Sequence, residues 1–243
     1  MRYHHLLPLA FAALLASCTS KDKDNTPIPQ PAVSQGYLRV VNNLSEAPGS
    51  QVLQGPVQLW VDGKQLGPEA AAATAAPYQA VAAGDHQVQL MLPVVSGSGY
   101  VYFGKLPVAQ DQRYSLFTFN NAGNLHSAKV VSEAAALPVP AAGKVQVRVL
   151  NLSSEQIPVR IEEPTAATPL YPDLAAGEIT PYQALDASAY PLQVTRTNGI
   201  QNQLFIQSVA LTAGKVYTLV LRGSADPYAV APEKLAFDVV VDQ

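Results

Sequence analysis

Val145, Val147 and Val149 alternate with Gln146 and Arg148, the period of two that arises when one face of a strand is buried. Val57-Gln58-Leu59-Trp60-Val61 alternates in the same way and runs into Asp62-Gly63, residues that tolerate positive φ and therefore close a tight hairpin. Val88 with Leu90, Tyr114 with Leu116, and Tyr217 with Leu219 and Leu221 continue the pattern. Asn121-Ala122-Gly123-Asn124 and Asn198-Gly199 punctuate it as turns. Convincing 3.6-residue periodicity is missing; the Ala-rich stretch Glu69 to Ala76 has room for a helical turn or two, but Pro68 and Pro77 bound it tightly. Short strands separated by turns at near-regular intervals predict an all-β chain of the sandwich class.

The strand pattern occurs twice. Leu38-Arg39-Val40-Val41-Asn42 corresponds to Val147-Arg148-Val149-Leu150-Asn151, and Pro77-Tyr78-Gln79-Ala80 recurs unchanged as Pro181-Tyr182-Gln183-Ala184. Arg113-Tyr114-Ser115-Leu116 answers Val216-Tyr217-Thr218-Leu219. The matches are collinear and a little over one hundred residues apart, so each unit is domain-sized rather than a solenoid repeat. The expected organisation is a leader at 1–17, a tether at 18–35, a first sandwich at 36–136, a joint at 137–143 and a second sandwich at 144–243. Leu211 to Thr218 resembles the tyrosine corner of immunoglobulin-like sandwiches, where a tyrosine hydroxyl returns to the backbone of the preceding turn. Tyr114 holds the same place in the first copy, but Gln110-Asp111-Gln112 replaces the Ala-Gly of the second, which predicts a different turn there. Two tandem sandwiches of immunoglobulin-like or transthyretin-like topology are therefore expected.

The first residues follow another rule. Arg2 precedes an apolar, charge-free run from Leu6 to Ala16, about a dozen residues, where a membrane-spanning helix needs about 20. The ending Leu15-Ala16-Ser17-Cys18 resembles the lipobox of bacterial lipoproteins, and the resemblance implies cleavage before Cys18 and acylation of that thiol, palmitate being one such chain. Each buried CH₂ contributes about 0.8 kcal/mol, so several acyl chains hold a protein on a bilayer almost permanently. Thr19-Ser20-Lys21-Asp22-Lys23-Asp24 and the Pro- and Gln-containing residues that follow cannot bury a core and read as an extended tether. The Lys-Asp pairs resemble tags that send lipoproteins to the outer face of the outer membrane in some Gram-negative groups. The expected location is thus the outer membrane, on its periplasmic or its surface side, with the membrane itself as a partner through Cys18.

Composition narrows the classes further. Fifteen Lys and Arg stand against eighteen Asp and Glu in 243 residues, a balance that gives no electrostatic footprint for nucleic acid. The single cysteine excludes a disulfide scaffold and a multi-cysteine zinc site. The order of the segments LRVVN-LS, VQLWVDG, PYQAVAAG and the turn before Tyr114 resembles a family of secreted bacterial domains known as domain of unknown function 4397. The resemblance is good from Gly36 to Val131 and looser in the second copy, where Glu162-Glu163-Pro164 replaces Val61-Asp62-Gly63 and predicts a reshaped hairpin. It implies an immunoglobulin-like β fold and an extracytoplasmic setting, and it brings no catalytic residue.

Searching for chemistry yields little. His86 and His126 have no paired ligand spacing, so no metal and no cofactor is expected. Ser96-Gly97-Ser98-Gly99 has neither the order of a nucleophile elbow nor that of a phosphate loop. Glu162 and Glu163 are neighbours on a strand and point to opposite faces, which does not suit a glycosidase pair. No catalytic residue is assigned. Tyr100 and Tyr102, two apart in an extended segment, are expected on one face, and with Trp60 or Tyr78 beside them they form a flat sugar-stacking surface, Tyr100, Tyr102 and Trp60 being the candidate ligand-contact set. The competing reading, which the sequence favours, packs Trp60 between the sheets as ordinary core. The function expected is a non-catalytic, lipid-anchored structural or recognition module of the cell envelope, with a protein or glycan as partner. A glycan- or peptidoglycan-binding aromatic surface is the alternative, and a hydrolase the least favoured.

Overall fold

The computed structural model describes residues 34–44, 55–94, 97–120, 126–134, 136–155, 157–197, 203–229 and 233–242. The leader, Cys18, the tether through 33 and the turns at 121–124 and 198–199 lie outside the described residues. In the first half the strands are β1 (Gln35–Asn42), β2 (Gln58–Val61), β3 (Lys64–Gln65), β4 (Thr74–Ala75), β5 (Gln79–Ala82), β6 (Gly84–Val94), β7 (Gly97–Val108), β8 (Gln112–Asn120) and β9 (His126–Ala134). The second half contributes β10 (Lys144–Ser153), β11 (Val159–Glu162), β12 (Tyr171–Leu174), β13 (Gln183–Asp186), β14 (Ala189–Arg196), β15 (Gln203–Ala210), β16 (Val216–Gly223) and β17 (Ala236–Val241). No helix occurs among them, and the fold is an all-β sandwich type.

Each half stacks two sheets. In the first, the order β3-β2-β6-β7 faces the order β4-β1-β8-β9, with β5 also on β1; in the second, β12-β11-β14-β15 faces β13-β10-β16-β17. β1 runs parallel to β8, as β10 does to β16, so the first strand of each half enters its sheet in the same sense. The alternation decides which side chains meet. Leu38 and Val40 of β1 join Leu59, Val88, Leu90 and Leu116 in one core, whereas Val145, Val147, Val149, Ile161, Val194 and Leu219 form another.

The opposite faces of β1, β8 and β9 and of β10, β16 and β17 also meet. Val41, Phe117 and Val131 pack with Leu150, Leu152, Val220 and Val240 in a third apolar layer. The four sheets therefore form one stack, with two inner sheets sharing this layer and two outer sheets turned away from it. Burying a side chain such as Phe117 is worth about 1.5–3 kcal/mol, so the third layer is a substantial part of the union. Within 144–241 the burial of β10 extends across both faces, as a strand sandwiched between two cores requires.

Local turns match the sequence reading in some places and depart from it in others. Asp62 and Gly63 take φ of 50° and 76°, the paired positive values of a tight hairpin turn between β2 and β3. The equivalent connection in the second half is the longer excursion from 163 to 170 between β11 and β12, the reshaping that Glu162-Glu163-Pro164 predicts. The Ala-rich stretch forms no helix: Ala70 bridges to Val57, Ala73 adopts φ of 57°, and Thr74–Ala75 pair with β1. Two prolines leave too few residues for a helical nucleus, and the edge of β1 offers the backbone partners instead.

The turns before the two corner tyrosines are alike, contrary to the sequence expectation. Asp111 (φ 54°) stands where Gly214 (φ 78°) stands, and their N–H groups donate to Gln35 O and Lys144 O, both at 2.9 Å. Aspartate is among the few side chains that tolerate this left-handed conformation, so it substitutes for glycine without changing the path. Tyr114 Oη accepts from Ala109 N–H (3.0 Å), and Tyr217 Oη from Thr212 N–H (3.1 Å).

Candidate functional site

The outer face of the β3-β2-β6-β7 sheet carries the exposed rings of Tyr100 and Phe103, while the exposed Tyr228 lies apart, between β16 and β17. Because Leu59 and Val61 occupy the inward positions of β2, Gln58 and Trp60 point out; Val88, Leu90 and Leu92 do the same for Gln89 and Met91 of β6. Trp60 is therefore not packed between the sheets, and the sequence preference for it as core is corrected by the parity of its strand. Its Nε1–H donates to Gln58 Oε1 at 3.1 Å, which fixes the plane of the indole on the surface.

The pairing of β7 with β6 corrects a second expectation. Gln89 lies opposite Phe103, Leu90 opposite Tyr102 and Met91 opposite Tyr100, with a register shift between Leu90 and Met91. Val101 is the extra residue of a bulge, and one extra residue reverses the parity of everything beyond it. Tyr100 and Tyr102 consequently do not share a face. Tyr102 turns to the core side and lies over Gly104, where a Cβ would meet its Oη at 2.6 Å. Phe103 takes its place outside.

The resulting face is a grid of two cross-strand rows, Trp60–Gln89–Phe103 and Gln58–Met91–Tyr100. Tyr100 and Phe103 are 60% and 62% exposed, and their rings meet edge-to-face with centroids 6.0 Å apart at 78°. Trp60 and Phe103 stand two strands apart, about 10 Å. Trp60 and Phe103 flank the Gln89 amide in one row, Gln58 and Tyr100 flank Met91 in the other, and the six positions carry no charge. Phe103 escaped the sequence reading because nothing local marks the bulge that exposes it.

At one end of this sheet His86 Nδ1 lies 2.7 Å from Asp62 Oδ2 and His86 Nε2 lies 2.8 Å from Ala82 O. Both ring nitrogens face acceptors, an arrangement that holds the protonated imidazolium. The Asp62 hydrogen bond raises the His86 pKa above its usual value, and the same bond, aided by Gln87 N–H, lowers that of Asp62. His126 sits on β9 in the other sheet of this half, so the two histidines do not converge. No group of three or more His, Cys, Asp or Glu able to hold a metal ion occurs among the described residues.

The outer sheet of the second half is different in chemistry. Arg160 and Glu162 of β11, Gln193, Thr195 and Arg196 of β14, and Gln203 of β15 line an open cleft of about 420 Å³. Arg196 is committed inside the protein, donating from Nε and Nη2 to Glu155 Oε2 at 3.0 and 2.7 Å. Arg160 points outward between buried Val159 and Ile161, as Trp60 does between Leu59 and Val61, and stands opposite Thr195 where Trp60 stands opposite Gln89. Burial pushes the Tyr171 phenol of this half up to about 12, and its hydroxyl donates to Val147 O at 3.2 Å, a structural role.

Residues 36–162 match the family model described as "Domain of unknown function (DUF4397)", a span that runs from β1 through β11. Among solved structures, the C-terminal domain of AlgF from P. aeruginosa is similar at 21% identity, with 41% of this chain and 98% of that chain covered and a TM-score of 0.29. The structure titled "Alpha-glucan binding by a streptococcal virulence factor" is similar at 12% identity, with 77% of this chain and 93% of that chain covered and a TM-score of 0.26. No curated protein matches.

Proposed function

From the premise that the chain belongs to this domain-of-unknown-function family, whose match covers more than half of its residues, we propose that it is a non-catalytic recognition module of the cell envelope. It is held on the outer membrane through acylated Cys18, and its contact surface is the uncharged aromatic grid of Trp60, Tyr100 and Phe103. The observation that carries the reading is the exposure of Tyr100 and Phe103 beside an indole whose plane is already fixed by Gln58. A flat sheet holds these groups without any loop to order on binding, which keeps the entropic cost of contact low.

The chemistry of the grid fits a neutral saccharide. Aromatic faces stack on the C–H faces of sugar rings, and the Gln89 amide supplies a donor and an acceptor for hydroxyls without favouring an anion, while Gln58 holds the indole. A peptide strand is the second reading, favoured by a specific feature: among the described residues β7 pairs only with β6, so its other edge presents open backbone groups beside Tyr100 and Phe103. Affinity electrophoresis through neutral polysaccharides tests the first reading. Retardation that is lost on Phe103→Ala and Tyr100→Ala supports it; equal mobility with and without every polysaccharide contradicts it.

A further inference from the structure

Two sets of equivalent side chains meet where the halves join. In the first half, Arg39 Nε donates to Ser115 Oγ (2.8 Å), the Arg39 guanidinium lies 4.4 Å above the Tyr78 ring, and Tyr78 Oη shares a hydrogen bond with Ser115 Oγ (2.8 Å). In the second half, Arg148 Nε donates to Thr218 Oγ1 (2.8 Å), its guanidinium lies 4.4 Å above the Tyr182 ring, and Tyr182 Oη donates to Asp242 Oδ2 (3.0 Å). Burial raises the pKa of both phenols, so each stays a neutral donor.

The ion pairs between the halves are exchanged. Arg39 pairs with Asp242 of the second half, and Arg148 donates to Glu133 of the first from two nitrogens, at 2.6 and 3.2 Å. Glu133 follows Val131 on β9 as Asp242, one residue past β17, follows Val240, each two residues on from a valine in the third apolar layer. Each half thus offers an arginine on its first strand and an acid at the end of its last, and each receives the complement. Such reciprocity, residue i meeting j while j meets i, is the mark of a two-fold interface between like subunits.

We propose that this surface is a self-complementary docking face, on which residues 35–134 recognise residues 144–242 as one subunit recognises a second copy. The joint at 137–143 raises the local concentration of the halves but is not what holds them. The apolar layer supplies the adhesion, and the exchanged pairs fix the orientation, because any other placement would bury an arginine or a carboxylate without its partner.

The test cuts the full-length protein. A protease site placed after Val139, which is 83% exposed, allows cleavage of the folded chain without touching the face. The two fragments are expected to elute together at the volume of the uncut protein, also in 1 M NaCl, since buried pairs are weakly screened. Separate elution of two folded fragments overturns the proposal. In the cut protein, Arg39→Glu with Arg148→Glu is expected to weaken the association by at least about a hundredfold while circular dichroism of the fragments stays β. Unchanged co-elution of that variant overturns the role given to the exchanged pairs.

Discussion

Arg39 and Asp242 stand 203 residues apart in the chain and bury their charges against each other, with side chains 3% and 0% exposed. Removing Arg39 takes from the buried Asp242 carboxylate its closest cation and leaves it with Thr218 Oγ1–H at 2.6 Å, Tyr182 Oη–H at 3.0 Å and Arg148 Nη2 at 4.0 Å, and losing one member of a buried ion pair is the expensive way to break it. Arg39→Ala is expected to cost about 3–5 kcal/mol in urea unfolding. Lys144→Ala, which breaks the exposed pair with Asp186, is expected to cost less than about 1 kcal/mol. Equal losses for the two variants would contradict the weight given to burial.

The His86–Asp62 contact makes stability depend on pH. The folded His86 pKa lies above its ordinary value of about 6.5, so its contribution is complete below that pH and fades as pH rises through the folded value. Asp62 is lowered from about 3.8, so its share is present above that pH and fades as pH falls. The contact is therefore strongest between about pH 4 and 6.5. His86→Ala is expected to destabilise more at pH 5.5 than at pH 8.5 in paired urea titrations. The His86 ring protons should titrate with a midpoint above 6.5 by NMR, and a midpoint below it would refute the assignment.

Both corner tyrosines use the hydroxyl as an acceptor for a backbone N–H five residues earlier. Tyr114→Phe and Tyr217→Phe keep the buried ring and remove only that oxygen, leaving Ala109 N–H or Thr212 N–H without it. Each is expected to lower stability by about 1–3 kcal/mol, and the losses should add, since the two corners belong to different cores. Thermal unfolding of the single and double variants measures both points.

How much of this could be read from the chain depends on the range of the interaction. The strands of Val57–Val61 and Val145–Val149 were legible because a half-buried strand writes its parity into two neighbouring residue types. The Asp62-Gly63 turn was legible for a similarly local reason. The exposure of Phe103 was not, because it depends on one unpaired residue, Val101, whose bulge exists only against β6. Trp60 was misplaced because size and hydrophobicity suggest core, whereas Leu59 and Val61 had already claimed the inward positions. The repeated Arg39 and Arg148, Tyr78 and Tyr182 were visible as a pattern, yet their meeting was not, since the acids that complete them, Glu133 and Asp242, lie at strand ends far along the chain. An arginine followed by two apolar residues and an asparagine, in both copies, is the repeated feature in the sequence, and the burial of Arg39 and Arg148 is what requires a distant partner for each.

The proposed membrane attachment rests on one atom, the Cys18 sulfur. Cys18→Ala is expected to abolish acyl labelling and move the protein out of the membrane fraction. Undiminished labelling and retention would contradict the anchor. Protease treatment of intact cells expressing the unaltered protein tests the proposed outer-membrane location: digestion places it on the cell surface, and protection places it inside.

The contact face can be interrogated directly because Trp60 is the single tryptophan of the chain. Its emission, followed while neutral oligosaccharides are titrated in, is expected to shift to shorter wavelength and saturate as a sugar ring covers the indole. That response should disappear in Phe103→Ala without loss of folded structure. Emission that stays constant across the titration, or a response that Phe103→Ala leaves intact, would contradict the aromatic grid as the surface through which this protein recognises its target.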